Sequence, residues 1–390
     1  MKLINDPLIP IFSIIAFFGM AGGALLGPAL PLMVEPLETT TKTVGWIMGI
    51  YTLSTAISML VFGMVTDQIG RKRILVPCLL INGIAGFACY FAPNITILLI
   101  LRFIQGIGIA GMIPIAMTMI GELYEGLDRV HAMGRISITT SLGAISAPLI
   151  GGSMAVVSWN YPFLFYALTI PLAIFVMFIL PETNLAPIKK KRMFSKMFSI
   201  IKDIKIFSIM FLCFVTFFLL FTIVIYIPFI LINIYGFTAQ KAGLVIGIQG
   251  ISMVMAASQA KMLSARFQFS TLVFVGFLFM GLAILGMGVS DSLNLIYLLL
   301  LIFGIGFGIT QPMLSAWITY ASPKNMMGST VLIFNTMKYI GQTAAPAILG
   351  PILMRTDFST IFILSSVLGF FVVVSTLYAR KKSDLFESLN

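Results

Sequence analysis

The chain has 390 residues, 59% of them apolar and 9% charged, with a mean hydropathy of +1.07 and a formal net charge of +11. Soluble domains run near ~45–50% apolar and ~25% charged, so a soluble domain, a disordered chain, a disulfide scaffold and a secreted enzyme are excluded. At about 20 residues per apolar crossing, this length holds roughly a dozen membrane spans.

Taken in chain order, the apolar runs predict spans near 9–34, 43–66, 74–92, 95–120, 134–157 and 161–180. A second set follows near 206–234, 240–264, 270–289, 293–320, 326–353 and 358–379. The first run is too long for the apolar stretch of a signal peptide, so it reads as a span. Between the sets lies the one long polar stretch, 181–205. Within it Met193, Phe194, Met197, Phe198, Ile201 and Ile204 recur at helical spacing opposite Arg192, Lys196 and Asp203. That pattern fits a helix lying on the anionic membrane surface, and an unstructured basic linker fits as well. The chain thus divides into a six-helix bundle over 1–185, a basic linker over 186–205 and a second bundle over 206–390.

The location of the basic residues explains the charge. Of 24 Lys and Arg, 19 fall in alternate connections, three (Lys42, Lys241, Arg355) in the others, and two (Arg102, Lys338) inside spans. This is the positive-inside bias; it predicts cytoplasmic termini in a multi-pass protein of the cell membrane, and it makes a nucleic-acid partner unnecessary. Cys78, Cys89 and Cys213 lie in apolar runs without metal-ligand spacing and read as small buried hydrophobes.

A shift of 198 residues superimposes the chain on itself. Gly45 falls on Gly243, Gly49 on Gly247, Gly106 on Gly304, Gly108 on Gly306, Pro114 on Pro312, Gly143 on Gly341, Ala147-Pro148 on Ala345-Pro346, and Gly152 on Gly350. One unbroken offset through four pairs of spans means one unit used twice. The expected fold is an all-α membrane protein of twelve transmembrane helices in two pseudo-symmetric six-helix bundles, as in many transporters.

After span 2 the chain reads Gly63-Met-Val-Thr-Asp67-Gln-Ile-Gly70-Arg71-Lys72-Arg73. Gly63 permits close packing, Gly70 a tight turn, and Asp67 is placed to cap the next helix. The segment resembles the signature loop of the major facilitator superfamily, Gly-x-x-x-Asp-x-x-Gly-Arg-[Arg/Lys]; the alternative is a topogenic basic staple with no switching role. Arg102-Phe-Ile-Gln105-Gly-Ile-Gly108 resembles the same superfamily's signature on span 4. Arg102 falls roughly 10 Å from the outer surface at 1.5 Å per residue. A charge there costs ~2.5–3.5 kcal/mol on insertion scales, so it is expected to face a wet cavity, unless it snorkels to the interface.

Span 5 reads Gly143-Ala-Ile-Ser-Ala147-Pro148-Leu-Ile-Gly151-Gly152. It resembles the antiporter signature of the twelve-span drug–proton exporters, with Ala147 at the middle Gly. Small residues let two helices meet backbone to backbone. The resemblance implies that this span packs against its counterpart, Ala345-Pro346, and seals one side of the cavity; ordinary helix packing is the plainer reading. The end of span 1, Gly27-Pro28-Ala-Leu-Pro31, is loosely similar to the same branch.

Scarce polar groups at mid-depth mark a transport site. Arg102, Gln105, Gln249, Gln311, Asn335 and Lys338 are the candidates for substrate binding or coupling, with Tyr51, Phe217, Phe221 and Tyr226 as aromatic walls or as plain packing. None of the thirteen acids lies at mid-membrane, although the resemblance implies a buried carboxylate that carries protons. Glu122 and Glu35, near span ends, are the remaining proton-titrating candidates, and Glu122 is within reach of Arg71. With Arg102 and Lys338 in the cavity, the substrate is expected to be neutral or anionic rather than a permanent cation.

These features point to a secondary active transporter working by alternating access: a proton-coupled exporter of small amphipathic compounds or drugs. It is expected to need no metal or cofactor, to be driven by the proton gradient, and to work as a monomer among membrane lipids. A facilitator or symporter for a sugar or organic anion is the runner-up. A membrane enzyme is remote: the single His131 is in a loop, no acid pair lies within the bilayer, and no nucleotide-binding Gly-x-x-x-x-Gly-Lys motif occurs.

Overall fold

The computed structural model describes residues 6–183, 202–323 and 327–382, and among these not the side chains of 63–68, 127, 130, 327–329 and 377–382. The proposed surface helix after span 6 lies outside the described residues.

Each apolar run forms a helix because its backbone polar groups have no water to bond in lipid. In chain order these are α1 (Leu8–Ala24), α2 (Thr41–Ile69), α3 (Arg71–Cys89), α4 (Ile95–Leu123), α5 (Gly126–Ala155) and the interrupted span α6 (Tyr161–Ile179). The second set is α7 (Ile204–Phe229), α8 (Ala239–Ser258), α9 (Phe269–Val289), α10 (Leu293–Ala321), α11 (Met327–Leu353) and α12 (Phe358–Lys382). Ten of these are long and apolar enough to cross a membrane, and α1 makes an eleventh with the 3-10 turn Gly27–Met33 that follows it. The 27-residue α11 is long enough too, but Asn335, Lys338, Gln342 and Thr343 lower its hydropathy.

Three boundaries differ from the apolar runs. Span 1 is bent by 41° rather than continuous, because Gly27-Pro28 and Pro31 cannot extend the α-helical ladder. Span 8 stops at Ser258 and restarts as the short helix Ala260–Ser264. The α5 helix starts at Gly126, well before the predicted 134, since its polar first turns carry no hydropathy signal.

The chain forms two compact units. The first contains residues 1–191 together with 236–247; the second contains 192–235 and 248–390. The division therefore departs from the sequence halves at the start of α8. Within the first unit α1 packs on α4 and α5, α2 on α4, and α3 on α4 and α6. Within the second, α7 packs on α10 and α11, and α9 on α10 and α12.

Close backbone approaches repeat at the same offset as the sequence. A β-carbon on Gly106 would meet the Tyr51 carbonyl, and one on Gly304 would lie 2.7 Å from the carbonyl of Gln249, 198 residues later. A β-carbon on Gly108 would lie 2.5 Å from the Cys78 carbonyl, and one on Gly306 2.6 Å from that of Gly276. Gly143 rests on Phe17 and Gly341 on Phe214, one residue short of the same offset. Lipid supplies no hydrophobic drive between helices, so such glycine contacts and polar ties hold them together.

Candidate transport site and switch loop

Arg102 and Gln105 stand one turn apart on α4 and both are completely buried. The Arg102 Nε donates to the Ile47 carbonyl of α2 (3.1 Å) and Nη1 to Gln105 Oε1 (2.7 Å). Its guanidinium lies over the Tyr51 ring, 3.9 Å from the centroid. Gln105 Nε2 donates to Asn82 Oδ1 of α3 (3.3 Å), Asn82 Nδ2 to Thr169 Oγ1 of α6 (3.3 Å), and Thr169 Oγ1 to the Leu79 and Tyr166 carbonyls. Tyr166 Oη in turn donates to the Gly22 carbonyl of α1 (2.9 Å). Five helices are joined by this chain, in which Arg102, Gln105, Asn82 and Thr169 show no exposed surface.

This corrects the expectation that Arg102 and Gln105 face a wet cavity. The arginine is sealed by protein, where two hydrogen bonds and an aromatic face replace part of its hydration and Nη2 has no hydrogen-bond partner among the described residues. Asn82, Thr169 and Tyr166 were missed by sequence reasoning, since a single polar residue in an apolar run has no pattern. The second unit carries Leu300, Phe303 and Met280 at the positions 198 residues on, all fully buried. The polar chain belongs to the first unit alone.

Of the other candidates, Gln249 is 1% exposed and neither of its amide atoms has a hydrogen-bond partner among the described residues. Gln311 is half-buried and donates to Ser315 Oγ, and half-buried Asn335 donates to the Val331 carbonyl. Half-buried Lys338 places its Nζ 4.8 Å from the centre of the Phe217 ring of α7. Glu35 is exposed in the connection after the Gly27–Met33 turn.

The signature loop is built around Gly70, whose φ of +113° suits only glycine. Gly63 and Asp67 lie on the last turns of α2, and their side chains lie outside the described ones. The first turn of α3 is capped by Glu182, from the segment after α6: its carboxylate accepts the N–H groups of Lys72 (3.2 Å) and Arg73 (3.3 Å). A carboxylate 110 residues away is invisible to capping rules, which look only at neighbours. Arg71 donates through Nε and Nη2 to Glu122 Oε1 (3.2 and 3.0 Å), and Thr183 Oγ1 to Glu122 Oε2 (2.6 Å). At the same end of the unit the Tyr124 hydroxyl donates to Asp6, and burial with that carboxylate raises the phenol above its ordinary range. A β-carbon on Gly70 would lie 2.6 Å from the Glu182 carboxylate. Gly70→Ala is therefore expected to cost about 1–3 kcal/mol, read as a lower thermal midpoint.

The small residues of span 5 make close crossings with α1 and the start of α8. A β-carbon on Gly143 would lie 2.9 Å from the Phe17 carbonyl of α1, and Gly151 rests on the Leu25 carbonyl just beyond α1. Gly152 rests on the Ala239 carbonyl and Gly243 on that of Pro148, so the start of α8 lies on α5 within the first unit. Ala147 and Pro148 are buried there. Ala345 and Pro346 are themselves buried in the second unit, a turn beyond the contact of Gly341 with Phe214.

A duplicated bundle of long apolar helices, tied by buried polar links and carrying a charged signature loop, defines a multi-span membrane transporter rather than an enzyme. The chain belongs to the Major Facilitator Superfamily, whose family model matches residues 12–346. It is 28% identical over 382 residues to the bacillibactin exporter of Bacillus subtilis (strain 168), covering 93% of this chain and 94% of that protein. It is 24% identical over 387 residues to a multi-drug resistance efflux pump PmrA homolog of Lactococcus lactis, covering 94% of each. The fold matches the crystal structure of the nucleoside transporter NupG with a TM-score of 0.79 at 15% identity, over 97% of this chain and 100% of that one.

Proposed function

We propose that the protein exports small amphipathic compounds across the cell membrane by alternating access, energised by the proton-motive force. Both termini are assigned to the cytoplasm, and the chain acts as a monomer without a metal or cofactor. The α5 crossing carries the reading: Gly143, Gly151 and Gly152 each rest on a neighbouring backbone carbonyl, a close fit suited to sealing one side of a pathway. The full-length likeness to an exporter and to an efflux pump supports the outward direction. Lys338 supports a neutral or anionic substrate over a permanent cation, since at ~8 Å and an effective dielectric of ~20 it repels a monocation by about 2 kcal/mol.

The switch loop supplies the moving part. Glu122 holds Arg71 while Glu182 holds the first turn of α3, so both contacts must part if the loop moves. Everted vesicles containing the chain should accumulate a fluorescent amphipathic dye during respiration and lose it on addition of a protonophore. Glu122→Gln and Asp67→Asn should slow that uptake several-fold at normal abundance. Accumulation no greater than in vesicles lacking the chain would refute export, and wild-type rates in both variants would reduce the loop to a topogenic staple.

A further inference from the structure

The second unit holds a cation with no counter-ion among the described residues. Lys338 lies mid-way along α11, with Asn335 one turn before it and Gln342 one turn after. Its ammonium is held over the Phe217 ring at 4.8 Å and near that of Tyr339 at 5.9 Å. Phe217 meets Phe307 of α10 edge-on, with centroids 5.4 Å apart; both rings are largely covered, so three helices build an aromatic wall behind one half-buried positive charge. The first half has Thr140 and Gly19 at the positions of Lys338 and Phe217, so the pair is not a property of the repeat.

No acid offsets this charge within the helices packed on α11, which are α7, α10 and α12. Asp203 precedes α7, Asp291 precedes α10 and Asp357 precedes α12. The titratable side chains on these helices are Lys205, Cys213 and Tyr226 on α7 and Tyr297 and Tyr320 on α10; the apolar part of α12, Phe358–Thr376, has none. Cys213, the one that neighbours Lys338, donates its thiol to the Phe334 carbonyl.

The sign of the charge constrains the energetics. A carboxylate binds either a proton or a cationic substrate, and that competition makes an exchanger. An ammonium binds an anion only while its own proton is on, so a titrating lysine would carry proton and anion in the same direction, and export would then run against the proton gradient. A lysine that stays charged avoids this conflict: the loaded site leaves neutral, the empty site returns positive, and one negative charge moves outward per cycle.

We propose that Lys338 is the anchor for an amphipathic monoanion whose apolar body rests on Phe217 and Phe307, and that the electrical part of the proton-motive force drives its exit with no proton exchanged at Lys338. The proposal rests on the export reading above and specifies its substrate class and driving force. At ~2.3 kcal/mol per charge for 100 mV, the limiting accumulation is about fiftyfold.

The test uses the purified full chain in liposomes with the permanently ionised probe 5-(dimethylamino)naphthalene-1-sulfonate. Potassium gradients with valinomycin set the potential at equal pH; equal potassium with valinomycin clamps it at zero while pH differs. The sulfonate should accumulate on the positive side in the first case, and in the second it should not exceed protein-free liposomes. Lys338→Arg, which keeps charge and aromatic contact, should stay within about threefold of wild type, while Lys338→Gln should lose uptake. Sulfonate transport driven by a pH difference at zero potential, or equal failure of both variants while they remain monodisperse, would overturn the proposal. Transport of tetraphenylphosphonium but not of the sulfonate would overturn the anchor and leave export standing. No movement of either probe under either gradient would overturn both.

Discussion

Arg102→Leu should lower the stability of the purified protein by about 3–5 kcal/mol and abolish transport, whereas combining it with Asn82→Met and Gln105→Phe should recover part of that loss. Removing one member of a buried, hydrogen-bonded charge network leaves its partners stranded, which is where costs of that size arise. In the single variant the Gln105 amide oxygen and the Ile47 carbonyl both lose their donor in a region without exposed surface. Replacing a whole network by apolar side chains is often close to neutral. The protein contains that replacement already, because Leu300, Phe303 and Met280 fill the corresponding positions of the second half. Recovery will be incomplete because Gln105 packs beside Gly86 and Tyr166, and overfilling such a site costs about 1–3 kcal/mol. Thr169 remains bonded to the Leu79 and Tyr166 carbonyls in either variant. Thermal unfolding in detergent measures both differences. A single variant within about 1 kcal/mol of wild type, or a triple variant less stable than the single, would show that the network does not act as a unit.

The contrast between the halves also shows what a sequence can reveal of this fold. The offset of 198 residues is a pattern over many positions, and the contacts of Gly106 and Gly108 recur at Gly304 and Gly306 as it requires, while that of Gly143 recurs at Gly341 with its partner one residue out of register. Glycine spacing is legible because a close helix crossing tolerates almost nothing else. The direction of a single polar side chain is not legible in the same way. Arg102 at mid-depth satisfies the rule that an intramembrane charge needs a reason, but the rule does not distinguish a wet cavity from a ring of protein acceptors. Its acceptors are the Ile47 carbonyl of α2 and Gln105 on its own helix, and Gln105 is held in turn through Asn82 of α3 and Thr169 of α6, groups far apart in sequence that only packing assembles. Glu182 illustrates the same limit at the membrane surface, where it caps α3 from the other side of the unit. Lys338 differs from Arg102 in the respect that matters for transport: it keeps part of its surface open and has an aromatic ring rather than a hydrogen-bonded ladder beside it.

Gly151→Leu should prevent the protein from accumulating in the membrane, and even Gly151→Ala should cost more than about 3 kcal/mol. The physical cause is local. Any β-carbon at Gly151 would overlap the Leu25 carbonyl at the end of α1, and its nearest side-chain neighbour is Leu25 Cγ at 3.2 Å. Backbone cannot move aside as a flexible side chain can, so α1 and α5 would have to separate. They are already committed by the Gly143 contact with Phe17 two turns earlier and by the 41° bend that Gly27-Pro28 imposes after Leu25. Gly134 supplies the control on the same helix. It is exposed, a β-carbon there meets nothing within 4 Å, and its φ is ordinary. Gly134→Ala should therefore stabilise by about 0.5–1 kcal/mol through helix propensity alone. The two alanine substitutions share chemistry and helix and differ only in what the new methyl group meets. Membrane abundance and thermal midpoints should thus move in opposite directions. If Gly151→Ala unfolds at the wild-type temperature, α5 does not close on α1, and the sealed crossing assigned to this helix is wrong.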